Sequence, residues 1–117
     1  MDANTVCAQI VAGARKRNAQ LDLTGALIFT GTYFAQVLEG RTKDINEMMV
    51  SLQRDPRHDM ITIVNQSPIA ERRFCEWKMA YQGPSDFVSR HVIRLLHTVG
   101  SEQRRATEWL IQLAHEF

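Results

Sequence analysis

The segment TGALIFTGTYFAQVLEG, residues 24–40, constrains the fold of this chain more than any other. Two apolar runs, 24–30 and 33–39, are separated by Gly31-Thr32, a spacing and residue choice that closes a tight hairpin. Gly40 ends the second run. Successive side chains of a strand alternate faces, so Phe34, Gln36 and Leu38 share one face, and Tyr33, Ala35 and Val37 the other. Both faces are then apolar, which predicts a strand covered on both sides, as in the middle of a sheet. The primary amide of Gln36 is the exception. Buried without hydrogen-bond partners it would cost ~1–3 kcal/mol, so a partner for it is expected.

The hairpin is flanked by helical patterns. Residues 4–19 repeat small and apolar residues at helical spacing (Ala3, Cys7, Val11; Val6, Ile10, Ala14), with Arg15, Lys16 and Arg17 in the last turn, where cations suit the helix dipole. Residues 43–54 place Ile45, Met48, Met49 and Leu52 on one face, opened by Asp44 with Glu47 three residues on. The polar break RDPRHD (54–59) follows. MITIVNQS (60–67) reads as a β-branched strand, SPIAERRF (67–74) as a loop or short helix, and WKMAYQ (77–82) as a strand. Pro84 and Ser85 open a helix carrying Val88, Val92, Leu95, Leu96 and Val99. Gly100-Ser101 separates it from a last helix bearing Ala106, Trp109, Leu110 and Leu113. The order α-β-β-α-β-β-α-α predicts an α+β sandwich, two helices on one face of a mixed sheet, with two further helices at the C-terminus. The natural division is a core over residues 1–83 and a helical extension over 84–117.

Bulk properties exclude classes. One domain fits the 117 residues, and a net charge of +1 offers no general attraction to nucleic acid or anionic membranes. The longest apolar runs are far short of a membrane span. The first residues lack the basic-then-apolar order of a signal peptide, so the cytoplasm is the expected compartment. Cys7 and Cys75 have no CxxC spacing, and His58, His91, His97 and His115 have no ligand spacing with them or with each other, so no metal site is expected. No nucleophile with a base, no acid/base pair and no Gly-rich phosphate loop stands out.

The polar residues that remain are weak signals singly. Gln36 alone reads as a satisfied core amide, or as an amide facing a heteroaromatic ligand whose ring N and C=O it can match. Asn18, at the end of the first helix, is a tolerant C-terminal residue or a second amide at the same ligand edge. Asp55, Arg57 and His58 form a solvated turn or a rim for hydroxyls and phosphate. Trp77 and Met79 alternate along one strand and share a face, which is more often core than cofactor contact.

In chain order the segments carry more. T-G-A-L-x-F, F-x-Q-V-L-E-G, R-D-x-R-H and P-I-x-x-R-x-F-x-x-W-x-M, spread over roughly residues 5–82, closely resemble the BLUF domain, which senses blue light using flavin. The resemblance implies a ferredoxin-like sandwich holding FAD (or FMN or riboflavin) non-covalently between helices 4–19 and 43–54. It implies that Asn18 meets the flavin ring near its C4 carbonyl and N3. Gln36 is then the switch whose hydrogen bonds rearrange after illumination, with Leu27, Phe34 and Leu38 lining the ring. Asp55, Arg57 and His58 would lie near the ribityl chain or phosphates, and Trp77 and Met79 would relay the signal. Such a domain is a sensor, not an enzyme.

One departure qualifies the resemblance. The family fold begins with a strand before the first helix, and that strand carries a tyrosine that donates to flavin. Here only MDAN precedes the helix, and neither Tyr33 nor Tyr81 matches the donor. The expectation is therefore a sandwich without its first strand, in which flavin binds but the photocycle is impaired. Output would pass to an unidentified signalling protein or a homo-oligomer through the apolar stripe of 88–99 and the Trp109 face. The competing expectation is a light-blind scaffold that acts by protein association alone.

Overall fold

A computed structural model describes residues 2–57 and 60–116. The Asp2 side chain accepts from the Thr5 N–H at 2.8 Å and caps helix α1, Ala3–Gln20. Strands β1 (Thr24–Phe29) and β2 (Phe34–Glu39) form the hairpin, followed by helix α2 (Thr42–Arg54), strand β3 (Trp77–Gln82), and helices α3 (Asp86–His97) and α4 (Gly100–Glu116). The fold is α+β with a mixed three-stranded sheet of order β2-β1-β3, in which β1 runs antiparallel to β2 and parallel to β3. No strand precedes α1 among the described residues.

Both edges of β1 are paired, and all six of its residues are buried. The middle strand is thus β1, not β2, which has a partner on one side only; this corrects the expectation drawn from its two apolar faces. Gly25 makes the close pairing workable. Its φ of 146° is open to glycine, and a Cβ there would run into the Val37 carbonyl of the neighbouring strand. A bulge at Ala80 shifts the register between β1 and β3, so that Leu27 faces Met79 while Ile28 faces Tyr81.

Each face of the sheet has its own core. Leu27 and Trp77 pack with Ala14 of α1, joined by Val11, Phe34, Leu38 and Met79. On the opposite face Ala26 and Ile28 meet Phe74, Val88 and Leu95 of α3, and Leu110, Ile111, Leu113 and Ala114 of α4. Three readings of the C-terminal half change in consequence. Val88, Val92 and Leu95, expected to form an output surface, are buried, Val88 and Leu95 in this second core, because the helix turns its most apolar stripe inward. What stays exposed is Phe87, Ile93, Leu96, Val99 and Trp109. Second, residues 60–67 form no strand. Met60 stands 90% exposed at φ 53°, and of this stretch Val64 packs against the core. β-Branched residues favour a strand only where a neighbouring backbone completes the ladder, and none of the three strands pairs with this stretch. Third, Asp44 does not cap α2. Arg41 occupies that position, and Asp44 lies in the first turn, accepting from Arg41 Nε at 2.7 Å where a negative charge complements the helix dipole.

Candidate functional site

The alternation of β2 puts Phe34, Gln36 and Leu38 on the α1 face of the sheet. Register then sets Gln36 opposite Leu27, and Leu27 opposite Met79, in one row across three strands. The next row holds Leu38, Gly25 and Trp77. Its central position has no side chain, and the Trp77 indole reaches across β1 to donate from Nε1–H to Gln36 Oε1 at 2.9 Å. That is the partner expected for the Gln36 amide, although the amide itself is exposed rather than buried. An edge strand leaves its side chains less covered, which corrects the burial expected from the apolar pattern. The Gln36 oxygen is thus engaged, and among the described residues its NH2 group makes no hydrogen bond.

Asn18 follows Ala14 by one helical turn, so both project toward the same face of the sheet. Its backbone carbonyl accepts from the Leu23 N–H at 2.8 Å, which holds the chain as it leaves α1 for β1. The side chain is 1% exposed, yet Oδ1 has no hydrogen-bond partner among the described residues. Buried polar atoms are nearly always satisfied, and one left open costs ~1–3 kcal/mol. An acceptor in that condition suits a ligand N–H.

The structure thus gathers Leu27, Phe34, Leu38, Trp77 and Met79 with Gln36 on one face, and Asn18 on the helix that covers it. Phe34 is further fixed by stacking on Phe29, centroids 4.3 Å apart. Asp55 and Arg57 form a separate pair past the end of α2, where Arg57 Nε and NH2 donate to the Asp55 carboxylate at 2.6–3.1 Å. That hydrogen bonding raises the Arg57 pKa above its ordinary value, and the guanidinium stays charged. His58 lies outside the described residues. Tyr33 is exposed beyond the start of β2, and Tyr81 packs with the α3–α4 core.

Sequence reasoning missed Glu39. It is 5% exposed, faces Thr24 across the hairpin, and accepts from Thr24 Oγ1–H and from the backbone N–H groups of Arg73 and Phe74. The available signal was an acid closing an apolar strand, which demands donors from somewhere. The C-terminal helices carry a second unread feature, an aromatic cluster on their outer side. His91 stacks on Trp109 at 3.8 Å between centroids, and Phe87 meets both edge-on. Burial and the charges of Arg94 and Arg90 hold the His91 pKa below its ordinary value. Among the described residues no group of three or more His, Cys, Asp or Glu is arranged to hold a metal, and no helix is long and apolar enough to cross a membrane.

Comparison with known proteins adds three findings. The family model described as BLUF, sensors of blue-light using FAD, matches residues 1–80. Among curated relatives, the photoactivated adenylate cyclase subunit beta of Euglena longa is 37% identical over 71 residues, covering 60% of this chain and 8% of that protein. The blue light- and temperature-regulated antirepressor BluF of Escherichia coli K12 is 36% identical over 66 residues, covering 56% of this chain and 16% of the antirepressor. The chain therefore spans a small part of these relatives. A solved bacterial light-regulated adenylyl cyclase superposes with a TM-score of 0.61 at 22% identity, over 94% of this chain and 35% of its own, a likeness of fold.

Proposed function

The chain belongs to the BLUF family, and from that premise we propose that it is a blue-light sensing domain that binds flavin non-covalently and signals through the hydrogen bonds of Gln36. The observation that carries the reading is the buried Oδ1 of Asn18, which has no partner among the described residues, beside a face whose Gln36 NH2 group has none among them either. One open acceptor and one open donor pair match the alternating N–H and C=O groups along the edge of a flavin ring. FMN and riboflavin share that ring with FAD, and FAD is the family's flavin. Leu27, Phe34 and Leu38 would supply the apolar floor, and Asp55, Arg57 and His58 the end nearest the ribityl and phosphate groups.

Bound flavin supplies the blue absorption and the light-driven redox chemistry. What this chain contributes is position and a switchable amide. With Oε1 toward Trp77, Gln36 accepts the indole N–H and presents its NH2 group to the ligand. Turned half a revolution, it would present NH2 to the indole, which cannot accept, and Trp77 would lose its partner. Trp77 therefore registers which way Gln36 faces. Neither Tyr33 nor Tyr81 stands at the position of the family's donor tyrosine. Residues 84–117 would form the output segment, delivering the signal to a partner protein or a second copy through Phe87, Ile93, Leu96, Val99 and Trp109, the residues left exposed. Turnover of a substrate has no place in this scheme.

Absorption spectra of the purified chain with added FAD test the proposal. The expected result is a yellow protein, and a reversible red shift of its bands under blue light is the mark of the sensor. A chain that stays colourless defeats the flavin reading and favours an association scaffold.

A further inference from the structure

Glu39 stands three residues beyond Gln36 on β2, and its carboxylate is almost wholly enclosed. Such a group persists in an apolar setting only when its oxygens are filled. Thr24 Oγ1–H and Phe74 N–H donate to Oε1 at 3.0 and 3.1 Å, and Arg73 N–H donates to Oε2 at 2.7 Å. Two of the three donors are consecutive backbone amides in the segment that leads into β3. Their side chains extend the other way, onto α4. Arg73 NH1 donates to Glu108 Oε1 at 2.7 Å, and the Phe74 ring stacks on His115, centroids 4.2 Å apart and planes 10° from parallel. Glu108 and His115 are two helical turns apart and so lie on one side of α4.

We infer that Glu39 is a positioning residue that makes β2, the Arg73–Phe74 turn and α4 one mechanical unit, so that α4 responds to the orientation of the Gln36 amide. Two ties cross the molecule. The Trp77–Gln36 hydrogen bond joins β3 to β2, and the Glu39 carboxylate joins β2 to the turn on which α4 rests. Losing the first tie frees β2 from Trp77, while the second keeps α4 moving with β2. The inference takes from the functional reading only that Gln36 is the switching group.

The experiment follows the His115 imidazole resonances by NMR in the full chain without flavin, assigned with a His115→Gln variant. Stacking on Phe74 displaces them upfield. Gln36→Leu removes the acceptor for Trp77 at an exposed site, and the expected result is a clear shift of His115. Placed in a Glu39→Gln background, the same substitution should move His115 by less than about half as much, since residues acting through one network are not additive. Arg73→Ala with Glu108→Ala removes one of the two contacts between the turn and α4, leaves the buried carboxylate and the Phe74–His115 stack intact, and should reduce the response. It decides the matter if Glu39→Gln fails to fold. A Gln36→Leu shift that is equal in all backgrounds, or absent from the otherwise unaltered chain, overturns the inference. Flavin uptake by the unaltered chain is measured in parallel. A Glu39-dependent His115 response in a chain that never takes up flavin defeats the photoreceptor reading and leaves this one standing. A reversible red shift with an unresponsive His115 does the reverse.

Discussion

Replacing Asn18 by leucine should make the ligand-free chain more stable and its flavin binding weaker, a pairing of signs that a structural asparagine would not give. The side chain is 1% exposed, and its Oδ1 meets no donor among the described residues. Leucine has a similar branched shape and no oxygen to desolvate. Removing the open acceptor recovers a penalty of ~1–3 kcal/mol, less whatever strain the bulkier methyl groups introduce, so a net gain of about 1 kcal/mol is expected. With a urea slope of ~1–3 kcal/mol/M, the unfolding midpoint should rise by roughly half a molar. The backbone carbonyl of residue 18 still accepts from Leu23, so the exit from α1 is untouched. In the complex the same leucine leaves a ring N–H without its acceptor. A loss of ~1–3 kcal/mol corresponds to a Kd about 5- to 150-fold weaker. Urea unfolding followed by circular dichroism reads the first effect, and flavin fluorescence titration the second. A lower midpoint would mean that the amide has an internal role. An unchanged Kd would mean that no ligand meets this atom. Either result refutes the reasoning.

Three further outcomes are expected. Gly25→Ala forces a Cβ against the Val37 carbonyl at φ 146° and should cost at least ~3 kcal/mol, since the obstacle is backbone in a paired strand; a loss under ~1 kcal/mol in urea unfolding would contradict the close approach. The lowered pKa of His91 means that the unfolded chain takes up a proton first, so its stabilising effect is present above about pH 6.5 and is lost as pH falls. Thermal midpoints should drop more between pH 7 and pH 5 for the unaltered chain than for His91→Gln, and parallel profiles would refute the environment described for this ring. Arg73 holds the Glu108 pKa below the ordinary carboxylate range, so their pairing weakens only as pH falls through that lowered value. Both side chains are substantially exposed, and Glu108→Gln should cost under ~1 kcal/mol at pH 7 in the same assay. A larger loss would make the pair a structural support of α4 rather than a contact that sets its position.

Much of the architecture was legible because each element carries its own period. The first helix, the hairpin, the second helix and the strand 77–82 lie within a residue or two of where alternation and helical spacing put them. What local pattern lacks is the identity of the neighbour. MITIVNQS has the composition of a strand, but pairing is a property of two segments, and none of the three strands takes it as a partner. The same limit explains β2. Its alternation correctly assigned Gln36 to the face of Phe34 and Leu38, yet how far that face is covered depends on strand order, which the alternation does not contain. Val88, Val92 and Leu95 were recognised as one stripe, but not which layer they would meet.

The polar residues separate function from structure more sharply than the apolar ones do. Glu39 is buried and fully engaged, and two of its donors are backbone amides 34 and 35 residues away. Backbone donors carry no letter in the sequence, so no motif could announce them, and the chain itself answers everything that the carboxylate requires. Asn18 is as deeply buried and is left with an open acceptor. Gln36 falls between, its oxygen held by Trp77 and its NH2 group without a partner among the described residues. A fold that satisfies the buried Glu39 completely, and on the α1 side of its sheet leaves a buried Asn18 acceptor and an exposed Gln36 NH2 group open among the described residues, is not loosely made there. The incomplete residues need a group from outside, and the complete one can transmit what happens when that group arrives. That ordering, from open to satisfied, runs from Asn18 through Gln36 to Glu39 and on to α4.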